Sequence, residues 1–311
     1  MATKKVTLRA FRVDDASDLF EGSRCIATIL LEKLNKSIAA DERRMTLNAG
    51  SETKEQDLIA SFYEGSAITP ATEKCVHCLM MRIAVGNVEK HVTELLLRRG
   101  KFDLTDLGES SVEGAKAFYR SHYYFCLSNK YVVTNMPGNR PITGLQAYLN
   151  WYLKKLHELT PLIDTQVITS LSDISLVDFQ DGRLYSADDL KHETDTTLLS
   201  IAKSFLKDIL KDANTVDDAI LSKHISATLK ISIKQPKASD PDDFQKTLGA
   251  LMKPLSDLDN VVIHTKHKGK ITKGSEILRV KDVKIEELED GLLNEPELRN
   301  AMERFLQEIS K

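Results

Sequence analysis

Leu229-Lys230-Ile231-Ser232-Ile233-Lys234, then Asp240-Pro241-Asp242-Asp243, then Val261-Val262-Ile263-His264-Thr265-Lys266-His267-Lys268-Gly269-Lys270-Ile271-Thr272-Lys273-Gly274, is the stretch that decides how this chain is read. Leu229, Ile231 and Ile233 alternate with Lys230, Ser232 and Lys234, the period-two pattern of a strand with one face buried and one wet. Asp240 is placed to cap a helix, with Pro241 at the first helical position. Phe244, Leu248, Leu251, Met252 and Leu255 follow at helical spacing. The apolar run at 261–263 makes a second strand, so the stretch predicts strand, helix, strand. Between residues 223 and 284 there are 13 Lys or Arg against 7 Asp or Glu, a local balance of +6 in a chain whose net charge is -3. Positive charge is concentrated here.

Upstream, Val6, Leu8 and Val13 predict a strand over 6–13. From Ser17 the spacing of Leu19, Phe20, Ile26, Ile29, Leu30 and Leu34 predicts a helix ending near Asn35. Residues 58–63 and 75–85 read as strands, and the polar segment before them, with Asp41-Glu42-Arg43-Arg44, as a loop. A helix is predicted over 88–99, stopped by Gly100 and closed by Arg98 and Arg99 at the negative end of its dipole. Residues 121–127 and 130–134 form a tight hairpin of aromatic and β-branched residues, and a helix opening at Pro141 or Thr143 carries Leu145, Leu149, Tyr152 and Leu153. Residues 165–179 supply one or two more strands, 181–195 a turn-rich acidic segment, and 198–211 a long amphipathic helix. A strand over 276–285 and an amphipathic helix over 295–309 end the chain, in a tail with 8 acidic and 3 basic residues from 286 to 311. The expectation is an α+β fold of two lobes, mixed sheets with packed helices. An N-terminal α+β domain covers 1–180, and a C-terminal domain, 181–311, holds the basic strand-helix-strand module.

At 311 residues and 41% hydrophobic content, the chain can bury a substantial core. Four cysteines, Cys25, Cys75, Cys78 and Cys126, are too few for a disulfide framework and sit in apolar runs, which fits a reducing compartment. The start, Met1-Ala2-Thr3-Lys4-Lys5, lacks the apolar core of a secretion signal, and no stretch approaches eighteen apolar residues in a row. A cytoplasmic protein without direct membrane insertion is expected.

Cys75-Val76-His77-Cys78 is the most tempting metal cluster. Structural zinc needs four ligands, a second pair at the usual spacing is absent, and on a strand Cys75 and His77 share a face while Cys78 points away. Core packing is therefore the expectation, with no metal and no cofactor. Hydrolase elbows, phosphate loops, dinucleotide fingerprints and paired-histidine zinc motifs are all missing. Carboxylates such as Asp188, Asp189, Asp240, Asp242 and Asp243 fall where helices begin and read as caps. The chain is expected not to be an enzyme and to have no catalytic residues, a nuclease with dispersed carboxylates being the third alternative.

Lys266, Lys268, Lys270 and Lys273, with His264, His267, Gly269 and Gly274, read as a basic hairpin tip able to follow a phosphate backbone. Lys230 and Lys234, on the neighbouring strand, extend the patch. Lysines also protect sheet edges from aggregation, so a solvated edge is the competing reading. No aromatics are interleaved, which argues against stacking on single strands and for contact with a duplex backbone.

The order of segments adds a resemblance. Tyr123-Tyr124-Phe125-Cys126-Leu127, Tyr131-Val132-Val133-Thr134, Pro137-Gly138 and Ile142-Thr143-Gly144-Leu145, then Leu229 to Lys237 and the 258–266 strand ahead of a Gly-containing loop and a closing helix, resemble the phage-lambda exclusion protein RexA. The KwaB proteins of the Kiwa defence system are a second comparison. The resemblance covers about half the chain, from Ser121 onward with gaps, and is one of element order. It implies an α+β, homodimeric, DNA-binding component of an anti-phage (exclusion or abortive-infection) system, beside a membrane protein partner encoded nearby. No functional residue carries over by position. The expected function is non-enzymatic binding of duplex DNA, without strong sequence preference, through Lys230, Lys234, Lys266, Lys268, Lys270 and Lys273. The alternative is a protein-interaction or dimerisation scaffold.

Overall fold

Seven successive residues of β4 (Lys74–Ala84), Cys75 to Met81, are buried, so this strand is covered on both faces and belongs in the middle of a sheet. The computed structural model describes residues 2–15, 26–47, 55–67, 74–84, 91–107, 115–137, 142–164, 174–180, 228–232, 261–265, 271–273, 278–288 and 291–310. β3 (Gln56–Ala67) and β6 (Ala115–Leu127) flank β4, and β7 (Tyr131–Thr134) pairs with β6 as the expected hairpin. β1 (Ala2–Asp15) lies between β7 and β13 (Val280–Glu287), and β2 (Met45–Thr46) closes the far side beyond β3. The order is β13-β1-β7-β6-β4-β3-β2, with β5 (His91–Thr93) on β6 and β8 (His157–Pro161) on β1. In β1, Val6, Leu8 and Ala10 are buried at alternate positions, while Val13, which the sequence reading also counted, is only half-buried.

Four α-helices are described: α1 (Ile26–Lys36), α2 (Glu94–Arg98), α3 (Ile142–Leu153) and α4 (Glu295–Ile309). α1 packs on β4, and α4 on β6, β7 and β13. α4 begins where Asn294 accepts from the Glu297 amide at 3.2 Å, with Pro296 and two acidic residues in its first turn. It buries Leu298, Met302, Phe305 and Leu306, one stripe at helical spacing. At about 1.5–3 kcal/mol per buried side chain this face supplies on the order of 6–12 kcal/mol before chain entropy. None of the described helices is long and apolar enough to cross a membrane.

Three elements differ from the sequence expectation. The helix expected over 88–99 is described from residue 91, as strand β5 followed by the short α2, because Thr93 caps the helix by accepting from the Leu96 amide at 3.3 Å. The polar segment before β3 holds a 3-10 turn, Ala40–Arg43, and β2. Arg43 is fully buried there. A bulge in β3 between Ile59 and Ser61 frees strand carbonyls, and the Arg43 guanidinium donates to Ile59 O at 2.8 Å, Gly100 O at 2.7 Å and, less closely, Ala60 O at 3.4 Å.

The chain divides into two compact units: 1–137 with 143–159 and 280–311, and 138–142 with 160–279. This partition differs from a cut at 180/181, because β13 pairs with β1 over eight residues and carries the C-terminal segment into the first unit. In the second unit, β9 (Ile174–Gln180), β10 (Thr228–Ser232), β11 (Val261–Thr265) and β12 (Ile271–Lys273) form an antiparallel sheet in the order β10-β9-β11-β12. β9 is an interior strand of this sheet, paired with β10 on one side and β11 on the other. The helices expected over 198–211 and after Asp240 lie outside the described residues.

Candidate metal centre

Strand alternation places Cys75 and His77 on one face of β4, and the β4–β6 register sets Cys126 directly opposite His77. Cys78, one position on, points to the other face. Sγ of Cys75, Nε2 of His77 and Sγ of Cys126 all lie within 4.8 Å of one another, the one such grouping of three or more potential ligands among the described residues. A fourth donor comes from α4: Glu303 Oε1 is 2.8 Å from His77 Nε2 and 3.9 Å from Cys75 Sγ. Cys75 and Cys126 stand 3.9 and 3.6 Å from that same Nε2. Both cysteines are fully buried and His77 is 3% exposed.

The backbone beside the cluster is shaped to it. β3 bulges between Glu64 and Ala67, turning Gly65 and Ser66 toward Cys75. The Ser66 amide donates to Glu303 Oε1 at 3.1 Å, and the Cys75 thiol to Ser66 O at 3.6 Å. A Cβ built on Gly65 falls under 3.0 Å from Cys75 Sγ, Glu303 Oε1 and His77 Nε2 at once. The missing side chain therefore leaves open a volume on which three donor atoms converge.

Electrostatics couples these groups. Hydrogen bonding to His77 holds the Glu303 carboxyl down to about 2. Burial works against a charged His77, yet its bonds to Cys75 and Glu303 prevail and raise its pKa. An ionised Glu303 accepts, so His77 Nε2 carries the proton, while Nδ1 is buried with no partner. The Cys75 thiol is lowered by its hydrogen bond with Cys126 and then by His77, whereas burial raises Cys126. Burial also raises Cys78 on the opposite face.

A thiol relay of the cysteine-protease kind needs the thiol and the carboxylate on different ring nitrogens and a thiol open to substrate. Here both meet Nε2, and Cys75 is sealed from solvent. The convergent arrangement suits coordination of one ion instead, and two thiols, an imidazole and a carboxylate are the donor set of a borderline-soft divalent metal. Sequence spacing exposed Cys75 and His77 but not Cys126 or Glu303. The first needs the strand register and the second the packing of α4, and neither leaves a local signal.

Of the basic residues expected to bind DNA, Lys230 lies in β10 opposite Asp178 of β9, and Lys273 in β12 opposite Val262 of β11. Lys234, Lys266, Lys268 and Lys270 lie outside the described residues. β11 and β12 pair as the antiparallel arms of the expected hairpin. The strand carrying Lys230 is not its neighbour, because β9 intervenes. Lys230 and Lys273 stand on opposite edge strands, three strand spacings or about 14 Å apart. Compared with protein-family models, curated proteins and solved structures, the chain matches none.

Proposed function

We propose that the protein binds the phosphate backbone of duplex DNA without strong sequence preference, as a non-enzymatic cytoplasmic component of an anti-phage system. The observation that carries the reading is the +6 balance between residues 223 and 284 in a chain of net charge -3. Pairing of β11 with β12 at one edge of the second sheet supports it, since Lys273 lies on a strand that no further described strand covers. The biological setting, a homodimer acting beside a membrane protein partner, is supplied by the resemblance to exclusion proteins.

The test is DNA affinity against salt for the wild type and for a variant with Lys266, Lys268, Lys270 and Lys273 changed to Ala. Each lost phosphate contact flattens the logarithmic salt slope by roughly 0.9, so four flatten it by about three to four. Exposed lysines change stability by about 0.5 kcal/mol or less each, and the variant should melt normally. Wild-type affinity and slope in that variant, together with a weakened protein contact or dimer, would replace this reading with the scaffold. Cleavage of DNA in magnesium or manganese would replace it with a nuclease.

A further inference from the structure

We propose that Cys75, His77, Cys126 and Glu303 bind one divalent cation of the zinc class, in a closed four-coordinate site that fastens α4 to the sheet. Three independent features meet at this point. The donors are the right kind: thiolates and imidazole hold zinc, cobalt and their neighbours, and a single carboxylate completes a set of four with no position left for water. Their spacing fits. Tetrahedral bonds of about 2.3 Å to sulfur and about 2.0 Å to nitrogen put those ligands about 3.5 Å apart, against 3.6 Å from Cys126 and 3.9 Å from Cys75 to His77 Nε2. Glu303 has to shift on binding: its 2.8 Å to His77 Nε2 opens to about 3.3 Å as the proton between them is replaced by the ion, and its 3.9 Å to Cys75 Sγ closes to about 3.5 Å. The space is also present, because Gly65 at the β3 bulge contributes no side chain where three of the donors converge.

Coordination also answers a problem of charge. Two cysteines with no exposure and a buried imidazole stand against a carboxylate whose side chain is 15% exposed, so most of this group of acids is withheld from water. A dication meeting two thiolates, one carboxylate and a neutral imidazole leaves a residual charge of only about -1 there. Binding releases the two thiol protons to solvent, and the one imidazole hydrogen moves from Nε2 to Nδ1, so the ring stays neutral. The ligands join β4, β6 and α4, with Glu303 separated from Cys75 by 228 positions in sequence. The ion therefore holds together strands and a helix that no disulfide links. This inference is independent of DNA binding.

The test uses the full chain, purified reduced, stripped with a chelator and titrated with zinc and, separately, with cobalt. One zinc per chain is expected. Cobalt should give the intense visible bands of a tetrahedral ion and a thiolate-to-cobalt charge-transfer band. Glu303→Gln, on a helix surface where folding is retained, should weaken zinc on the order of 10- to 100-fold. Cys126→Ser should lose both the metal and the charge-transfer band, while Cys78→Ala should keep them. Removing zinc from the wild type should speed hydrogen exchange within 295–309. The proposal is overturned if the folded, reduced wild type takes up neither metal, if bound cobalt shows an octahedral spectrum without thiolate bands, or if Cys78→Ala abolishes binding as Cys126→Ser does. A Cys75–Cys126 disulfide in freshly purified protein would overturn it as well.

Discussion

Replacing Arg43 by Met tests whether the β3 bulge is held by a buried cation. The guanidinium makes two short bonds, to Ile59 O at 2.8 Å and Gly100 O at 2.7 Å, both to backbone carbonyls. A hydrogen bond from a charged donor contributes about 1.5–3 kcal/mol, so losing two costs about 3–6 kcal/mol. Part of that is returned, since burial already holds the Arg43 pKa below its ordinary value and Met removes the desolvation penalty. A net loss of about 2–4 kcal/mol is expected. The only tryptophan, Trp151, sits in α3 of the same unit, and Tyr148 of that helix donates to Arg43 O at 2.7 Å, so fluorescence reports on this region. With a urea slope of about 2–3 kcal/mol per M, the midpoint should fall by about 1 M. Arg44→Met, which removes a partly exposed pair with Asp41, should cost at most about 1 kcal/mol. A midpoint for Arg43→Met within about 0.3 M of wild type, at unchanged slope, would refute the argument.

Asp57 and Arg82 face each other across β3 and β4 in a two-pronged contact of 2.8 and 2.9 Å, with Asp57 3% exposed. Asp57→Ala should therefore destabilise by about 1.5–3 kcal/mol through loss of the two charged hydrogen bonds, Arg82 being 26% exposed and keeping Glu55 at 3.7 Å, measured by the same unfolding assay. Gly65→Ala should lower both metal uptake and stability, because the new Cβ meets three donor atoms under 3.0 Å; cobalt spectra and melting would check the two effects separately. In metal-free protein, the lowered Glu303 contributes stability above about 4.5 that is lost as pH falls toward about 2. The raised His77 contributes stability below 6.5 that is lost as pH rises through its folded value. Stability against pH should thus show a shoulder between those limits, and Glu303→Gln should flatten it on both sides.

What could be read from the sequence was whatever repeats locally. Strands β1 and β10, the amphipathic helix α4 and the β6–β7 hairpin are all legible because each needs only its own neighbours. Arg43 stands in a segment whose polarity predicts an exposed loop, but its acceptors are the β3 bulge sixteen positions on and the Gly100 carbonyl fifty-seven positions on. The same holds for the cluster on β4. Period two predicted that Cys75 and His77 share a face and Cys78 does not, but the count of ligands stopped at two. The remainder depends on register: β4 and β6 slip between Arg82 and Ile83, so His77 opposite Cys126 cannot be counted from either strand alone. β9 was recognised as a strand, yet its insertion between β10 and β11 is a choice of topology that composition does not dictate.

The pairing of β1 with β13 also bears on how the chain is made. Lys4 and Glu287, joined across those strands, are 283 positions apart. A ribosome adding about 5–20 residues per second delivers the second roughly 15 to 55 s after the first. During that interval β1 can pair with β7 and β8 but not with β13, and the edge that β13 later takes presents unpaired amides to any passing strand. Assembly of the first unit is therefore a late event in biosynthesis, completed only after the whole of residues 160–279 has been threaded out between its two halves.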